Sequence, residues 1–155
     1  MMNTIPTGTS GNAPNSTHYG SGSYEPIAQT LLTTLDYSTF YLEFDTDRAG
    51  NFQPLRFLPK NKHVVLGLVT TKSSEMEDAS ELVLRVHEAA DVIAKGQDAG
   101  RTRGQTLEGN LAVSPQCGFS SAMVGGGKGV AEDVIWKKLE LVRSLAEIIW
   151  PHWMV

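Results

Sequence analysis

Apolar residues fall along the chain in two alternating patterns, helical spacing and continuous strand-like runs. Ile27, Leu31 and Leu35 stand four apart behind Pro26, which predicts a helix over residues 26–35. Residues 39–44 (Thr-Phe-Tyr-Leu-Glu-Phe) are β-branched and aromatic and predict a strand. Gly50, Pro54 and Pro59 make residues 45–62 mostly loop, with room for one helical turn around residues 55–58. Residues 63–70 form an unbroken apolar run after His63, as expected of a buried parallel strand. Ser74, with Glu77 three residues on, predicts a capping box. The helix it would open carries Met76, Ala79, Val83, Val86, Ala90 and Ile93 on one stripe. Residues 96–110 are polar and glycine-containing, so a surface loop is expected, followed by a short third strand at residues 111–113. A glycine-rich turn at residues 125–127 leads to a last helix over residues 131–150, which Pro151 stops. Its inward residues are expected to be Val134, Ile135, Leu139, Val142, Leu145 and Ile149, with Trp136 and Trp150 against the sheet and Lys137 and Lys138 on the surface.

Strands alternating with helices predict βαβ units, hence an α/β fold with about three parallel strands. Three strands cannot close an eight-stranded barrel, so a partial TIM-barrel-like unit is expected. Residues 1–23 are mostly Thr, Ser, Gly, Asn and Pro and predict a disordered tail, leaving residues 24–155 as the folded domain. A net charge of −4 with 13 scattered basic residues argues against nucleic acid as a partner. One cysteine excludes an intrachain disulfide, and no apolar run approaches membrane-spanning length. The N-terminus has no basic, apolar secretory pattern and no Arg or Lys before Arg48, so a cytoplasmic location is expected.

In parallel βα folds the reactive groups gather where the strands end, because the loops there face one crevice. That rule points to Glu43, followed by Asp45, Asp47 and Arg48; to Lys72 and Ser73; and to Cys117. A carboxylate and a thiolate at one mouth are two of the ligands that a zinc ion takes. Taken alone, a single cysteine is commonly a small buried hydrophobe and a strand glutamate an ion-paired one, and composition leaves both readings open. Gly125-Gly-Gly-Lys-Gly129 lacks the spacing of a phosphate loop and reads as a flexible turn. His63 and His87 read as structural, and His152 lies where fraying is expected.

Four stretches carry a resemblance: Tyr41-Leu-Glu-Phe-Asp-Thr-Asp-Arg-Ala-Gly50, Pro54-Leu-Arg-Phe-Leu-Pro-Lys60, Val64-Val-Leu-Gly-Leu-Val-Thr70, and Leu111-Ala-Val-Ser-Pro-Gln-Cys-Gly-Phe-Ser-Ser121. In order and spacing, over residues 24–150, the chain resembles the C-terminal barrel of the cobalamin-independent methionine synthase family. It is most similar to the shorter single-barrel members of fungi and bacteria. The resemblance implies zinc-dependent methyl transfer from a methyl-folate-like donor to a thiol such as homocysteine, with the metal holding the thiol as a thiolate. It implies Glu43 and Cys117 as zinc ligands, with Asp45 and Lys72 as candidate catalytic residues at the mouth. The family's His-x-Cys motif has its nearest counterpart in His18-Tyr-Gly20, which makes His18 a third candidate ligand and puts glycine in place of the cysteine. Lys72 stands where the family tends to carry a histidine. Earlier strands supply most of the family's folate and homocysteine contacts, so a truncated member is implied. The alternative is a non-catalytic remnant or pseudoenzyme that self-associates, or completes its barrel with another chain, through the unpaired edge of its first strand.

Overall fold

The computed structural model describes residues 23–98, 100–119 and 130–153. The expected tail, apart from Ser23, and the glycine-rich turn at residues 125–127 lie outside the described residues. Strands β1 (Thr39–Glu43), β2 (His63–Val69) and β3 (Leu111–Pro115) form one parallel sheet in the order β1-β2-β3. Helices α1 (Ala79–Ala94) and α2 (Arg103–Asn110) connect β2 to β3, and α3 (Glu132–Ile149) follows β3. Two short 3-10 turns, Asp47–Ala49 and Gln53–Phe57, stand in the crossover from β1 to β2. The α/β class with three parallel strands is therefore as the periodicity implies.

Side chains alternate across a strand, so one face of the sheet carries Phe40, Leu42, Val64, Leu66 and Leu68. These residues join Leu82, Val86, Ala89, Ala90 and Ile93 of α1 and Leu145 of α3 in a single core. Each such large side chain stabilises the fold by about 1.5–3 kcal/mol on burial. The opposite face holds two rows set by the strand register, Tyr41–Val65–Ala112 and Glu43–Gly67–Ser114. Ala112 is exposed there and Tyr41 and Ser114 are half-buried, whereas Val65 is buried apart from the main core.

Several local expectations are corrected. Helix α1 begins at Ala79 because Asp78, not Ser74, is its N-cap, its carboxylate accepting from Glu81 N at 3.0 Å. Met76 consequently precedes the helix and is exposed. The stretch expected to be loop holds α2, opened by a full capping box between Thr102 and Gln105. That helix has Leu107 as its only large apolar residue, too little for periodicity to reveal it. Near the start, a π-helical turn spans Thr30–Thr34, and the buried positions are Tyr24, Ala28, Leu31 and Leu32, while Ile27 and Leu35 are exposed. In α3, Trp136 and Leu139 face outward, and the two fully buried positions are Leu145 and Lys138. Lys138 is thus no surface lysine. Trp150 is buried as expected, its indole N–H donating to Leu107 O at 2.9 Å.

Polar staples hold the amino end of the sheet. Lys62 Nζ is buried and donates to Leu32 O at 2.9 Å and Leu35 O at 2.6 Å, closing the open carbonyls of the helical turn before β1. Asn110 Nδ2 donates to Lys60 O at 3.0 Å and Lys62 O at 2.8 Å, and its Oδ1 accepts from Arg101 Nη1 at 2.9 Å. At the far end of α1, Gly96 passes so close to the Gln53–Phe57 turn that a Cβ would lie 2.2 Å from Arg56 O. Only glycine fits that crossing.

Candidate functional site

Parallel strands deliver their carboxyl ends to one edge, and the chemistry-bearing residues collect there. Glu43 ends β1 in register with Gly67, which in turn pairs with Ser114. Phe44 N donates to Gly67 O at 2.9 Å, so the N–H of Glu43 points to the open side of β1, where it donates to Tyr24 Oη at 3.0 Å. The buried Glu43 carboxylate lies 3.7 Å from the Arg48 guanidinium. Both oxygens of Asp45 are shielded from solvent, and among the described residues no donor meets them in hydrogen-bonding geometry. Burial pushes the Asp45 carboxyl above the usual aspartate range; the nearby Thr70 hydroxyl works against the shift, and the Glu43 charge adds to it.

The end of β2 supplies the second wall. Thr70 N donates to Glu77 Oε1 at 2.7 Å, and Thr70 Oγ1 accepts from Lys72 N at 3.2 Å. Thr71 is buried, its hydroxyl donating to Gln116 Oε1 at 2.7 Å and lying 3.0 Å from Cys117 Sγ. Lys72, half-buried, follows directly in the same loop.

Cys117 reaches Thr71 because β3 bends over β2. The register slips between Gly67 and Val69, and Gln116 N donates to Val69 O at 2.7 Å. Gly67 permits the approach, since a Cβ there would lie 3.0 Å from Gln116 Cα and 3.3 Å from Leu42 O. The Cys117 thiol is half-buried, 3.2 Å from Gly118 O and 3.3 Å from Gln116 Oε1. Gln116 is itself buried, and among the described residues its Nε2 has no hydrogen-bond partner.

Glu43, Asp45, Lys72 and Cys117 thus all stand at the carboxyl edge, with Asp45 feeling the charge of Glu43 and Cys117 packed on the residue before Lys72. His18 lies outside the described residues. Beside this edge opens a cleft of about 610 Å³ lined by Asp45, Asp47, Glu77, Asp78, Glu81 and Arg85, among others. Glu43 and Cys117 are donors of the kind zinc takes, but a catalytic site needs at least three protein ligands. Among the described residues, no three His, Cys, Asp or Glu side chains converge to hold a metal, so these residues alone fall short of a zinc site.

Sequence reasoning passed over Thr71 and Gln116 and placed Lys138 on the surface. Thr71 and Gln116 carry no motif. Lys138 did leave a signal: it sits with Val134, Leu141 and Leu145 on the apolar stripe of α3, where a lysine requires a buried partner.

No family model matches the chain. It is 38% identical over 136 residues to the uncharacterized protein YxjH of Bacillus subtilis, and 33% identical over 136 residues to YxjG of the same organism. Each match covers 87% of this chain and 32% of the relative. Among solved structures it is similar to a Listeria monocytogenes protein provisionally described as a vitamin-B12 independent methionine synthase. That likeness has a TM-score of 0.54 and 28% identity, and it covers 83% of this chain and 32% of the other. The chain spans about a third of the length of the relatives it matches.

Proposed function

We propose that this chain is one sector of a methionine-synthase-type barrel, contributing part of a zinc-dependent site for methyl transfer to a thiol. The observation that carries the reading is a buried carboxylate, Glu43, and a half-buried thiol, Cys117, on the same carboxyl edge of a parallel sheet. The likeness to the Listeria protein supports it. The acceptor is a homocysteine-like thiol and the donor a methyl-folate-like molecule, in the cytoplasm. Zinc is the cofactor of this reading, with Glu43, Cys117 and His18 as its ligands.

The described residues have definable parts. Thr71 holds the Cys117 side chain at 3.0 Å, and Arg48 balances the buried Glu43 charge. Asp45, whose carboxyl keeps its proton to higher pH than an ordinary aspartate, is the group suited to proton transfer at the mouth. Lys72 brings an amine donor to the same loop.

Metal-stripped chain incubated with zinc and then desalted tests the reading. About one zinc per chain, lost in Cys117→Ser, is expected of a thiolate-ligated site. Folded protein that retains no zinc would overturn it.

A second reading has its own support. Among the described residues, the outer strands β1 and β3 each have a single strand neighbour in the sheet. A non-catalytic remnant would cover these edges by self-association or by pairing with another chain.

A further inference from the structure

The Lys138 side chain is completely buried, and its ammonium is held by three acceptors. Nζ donates to Glu75 O at 2.6 Å, Glu77 Oε2 at 2.9 Å and Glu77 Oε1 at 3.1 Å. Three donors meet three acceptor contacts, so the charge is saturated. Glu77 lies before α1 and passes the connection on, because Oε1 also accepts the N–H of Thr70 at 2.7 Å. Thr70 is the first residue beyond β2; its hydroxyl holds Lys72 N, and the neighbouring Thr71 hydroxyl lies 3.0 Å from Cys117 Sγ.

A buried ion pair is a weak way to gain stability, since apolar residues of similar volume commonly do as well. Its directional bonds do something an apolar contact does not. They tie α3 to residues 75 and 77 and to the backbone of the loop on which Cys117 rests. We infer that Lys138 and Glu77 are positioning residues, fixing the loop of residues 70–72 and, through Thr71, the Cys117 thiol. The inference rests on the proposed reading, in which Cys117 is a ligand of the site.

The test uses the full metal-free chain and reads the alkylation rate of Cys117 by iodoacetamide, beside the urea midpoint. Lys138→Met alone leaves the half-buried Glu77 carboxylate without its cation, with the Thr70 N–H still donating to it, and is expected to lower the midpoint. The double variant Lys138→Met with Glu77→Leu removes both charges and is expected to recover the midpoint without recovering the natural alkylation rate. A change of up to about a hundredfold is expected, since a misplacement of about 1 Å carries a factor of that order. A double variant with restored stability and the natural rate overturns the inference, because the pair would then be structural alone. Should the double variant not fold, hydrogen exchange of the natural chain decides. The Thr70 amide is expected to be protected, and exchange at the rate of an open amide overturns the positioning role. None of these readouts depends on zinc, so failure of the metal reading is recorded separately.

Discussion

Gly67 shows how one residue decides whether a thiol and its neighbours meet. Without a side chain, β2 lets the backbone at Gln116 pass over it, and the passing segment carries Cys117 to Thr71. Gly67→Ala would set a Cβ 3.0 Å from Gln116 Cα, against backbone on both sides. Overpacking of this kind costs about 1–3 kcal/mol. A lower urea midpoint is expected together with an altered rate of Cys117 alkylation. An alanine variant with both quantities unchanged would mean that the close approach does not set the thiol. Asp45 makes the complementary point about charge. It stands in the loop after β1, where burial raises its proton affinity.

Elements here are joined as much by polar staples as by apolar faces. At the amino end of the sheet, Asn110 closes α2 against the segment entering β2, satisfying Lys60 O, Lys62 O and Arg101 Nη1 together. Asn110→Ala removes the donor that Lys60 O and Lys62 O share and one acceptor of Arg101 Nη1, and a loss of about 1–3 kcal/mol in urea denaturation is expected. The substitution lies at the opposite end of β2 from Cys117, so the alkylation rate should stay as in the natural chain. A changed rate would show that the two ends of the sheet are coupled. At the carboxyl end the matching staple is Lys138 with Glu77. Helix α2 owes its start to the Thr102–Gln105 box rather than to an amphipathic stripe.

The described residues form a sheet with one face packed against helices and two outer strands that each have a single neighbour among them. On β1 the Tyr24 hydroxyl takes the outward N–H of Glu43. The row Tyr41–Val65–Ala112 on the other face ends in an exposed alanine at β3. Strand edges and partly covered apolar rows favour association. Sedimentation of the 155-residue chain is expected to show concentration-dependent self-association. A monomer across the micromolar range would count against the edge-pairing reading. Among the described residues no helix is long and apolar enough to cross a membrane.

The sequence by itself determined the order of the three strands and of α1 and α3, the parallel α/β class and the edge at which Glu43, Asp45, Lys72 and Cys117 stand, but not α2. Those properties follow from local periodicity and from the rule that parallel strands share a carboxyl end, so neighbours in the chain suffice to read them. The tertiary structure alone decided which side chains touch. Thr71 and Cys117 are 46 residues apart, and Lys138 and Glu77 are 61 apart. The burial of Lys138 and the exposure of Trp136 depend on packing partners brought in from distant segments. Periodicity marks a helix face as apolar, but only the packed neighbours determine whether a lysine on that face finds the carboxylate it needs.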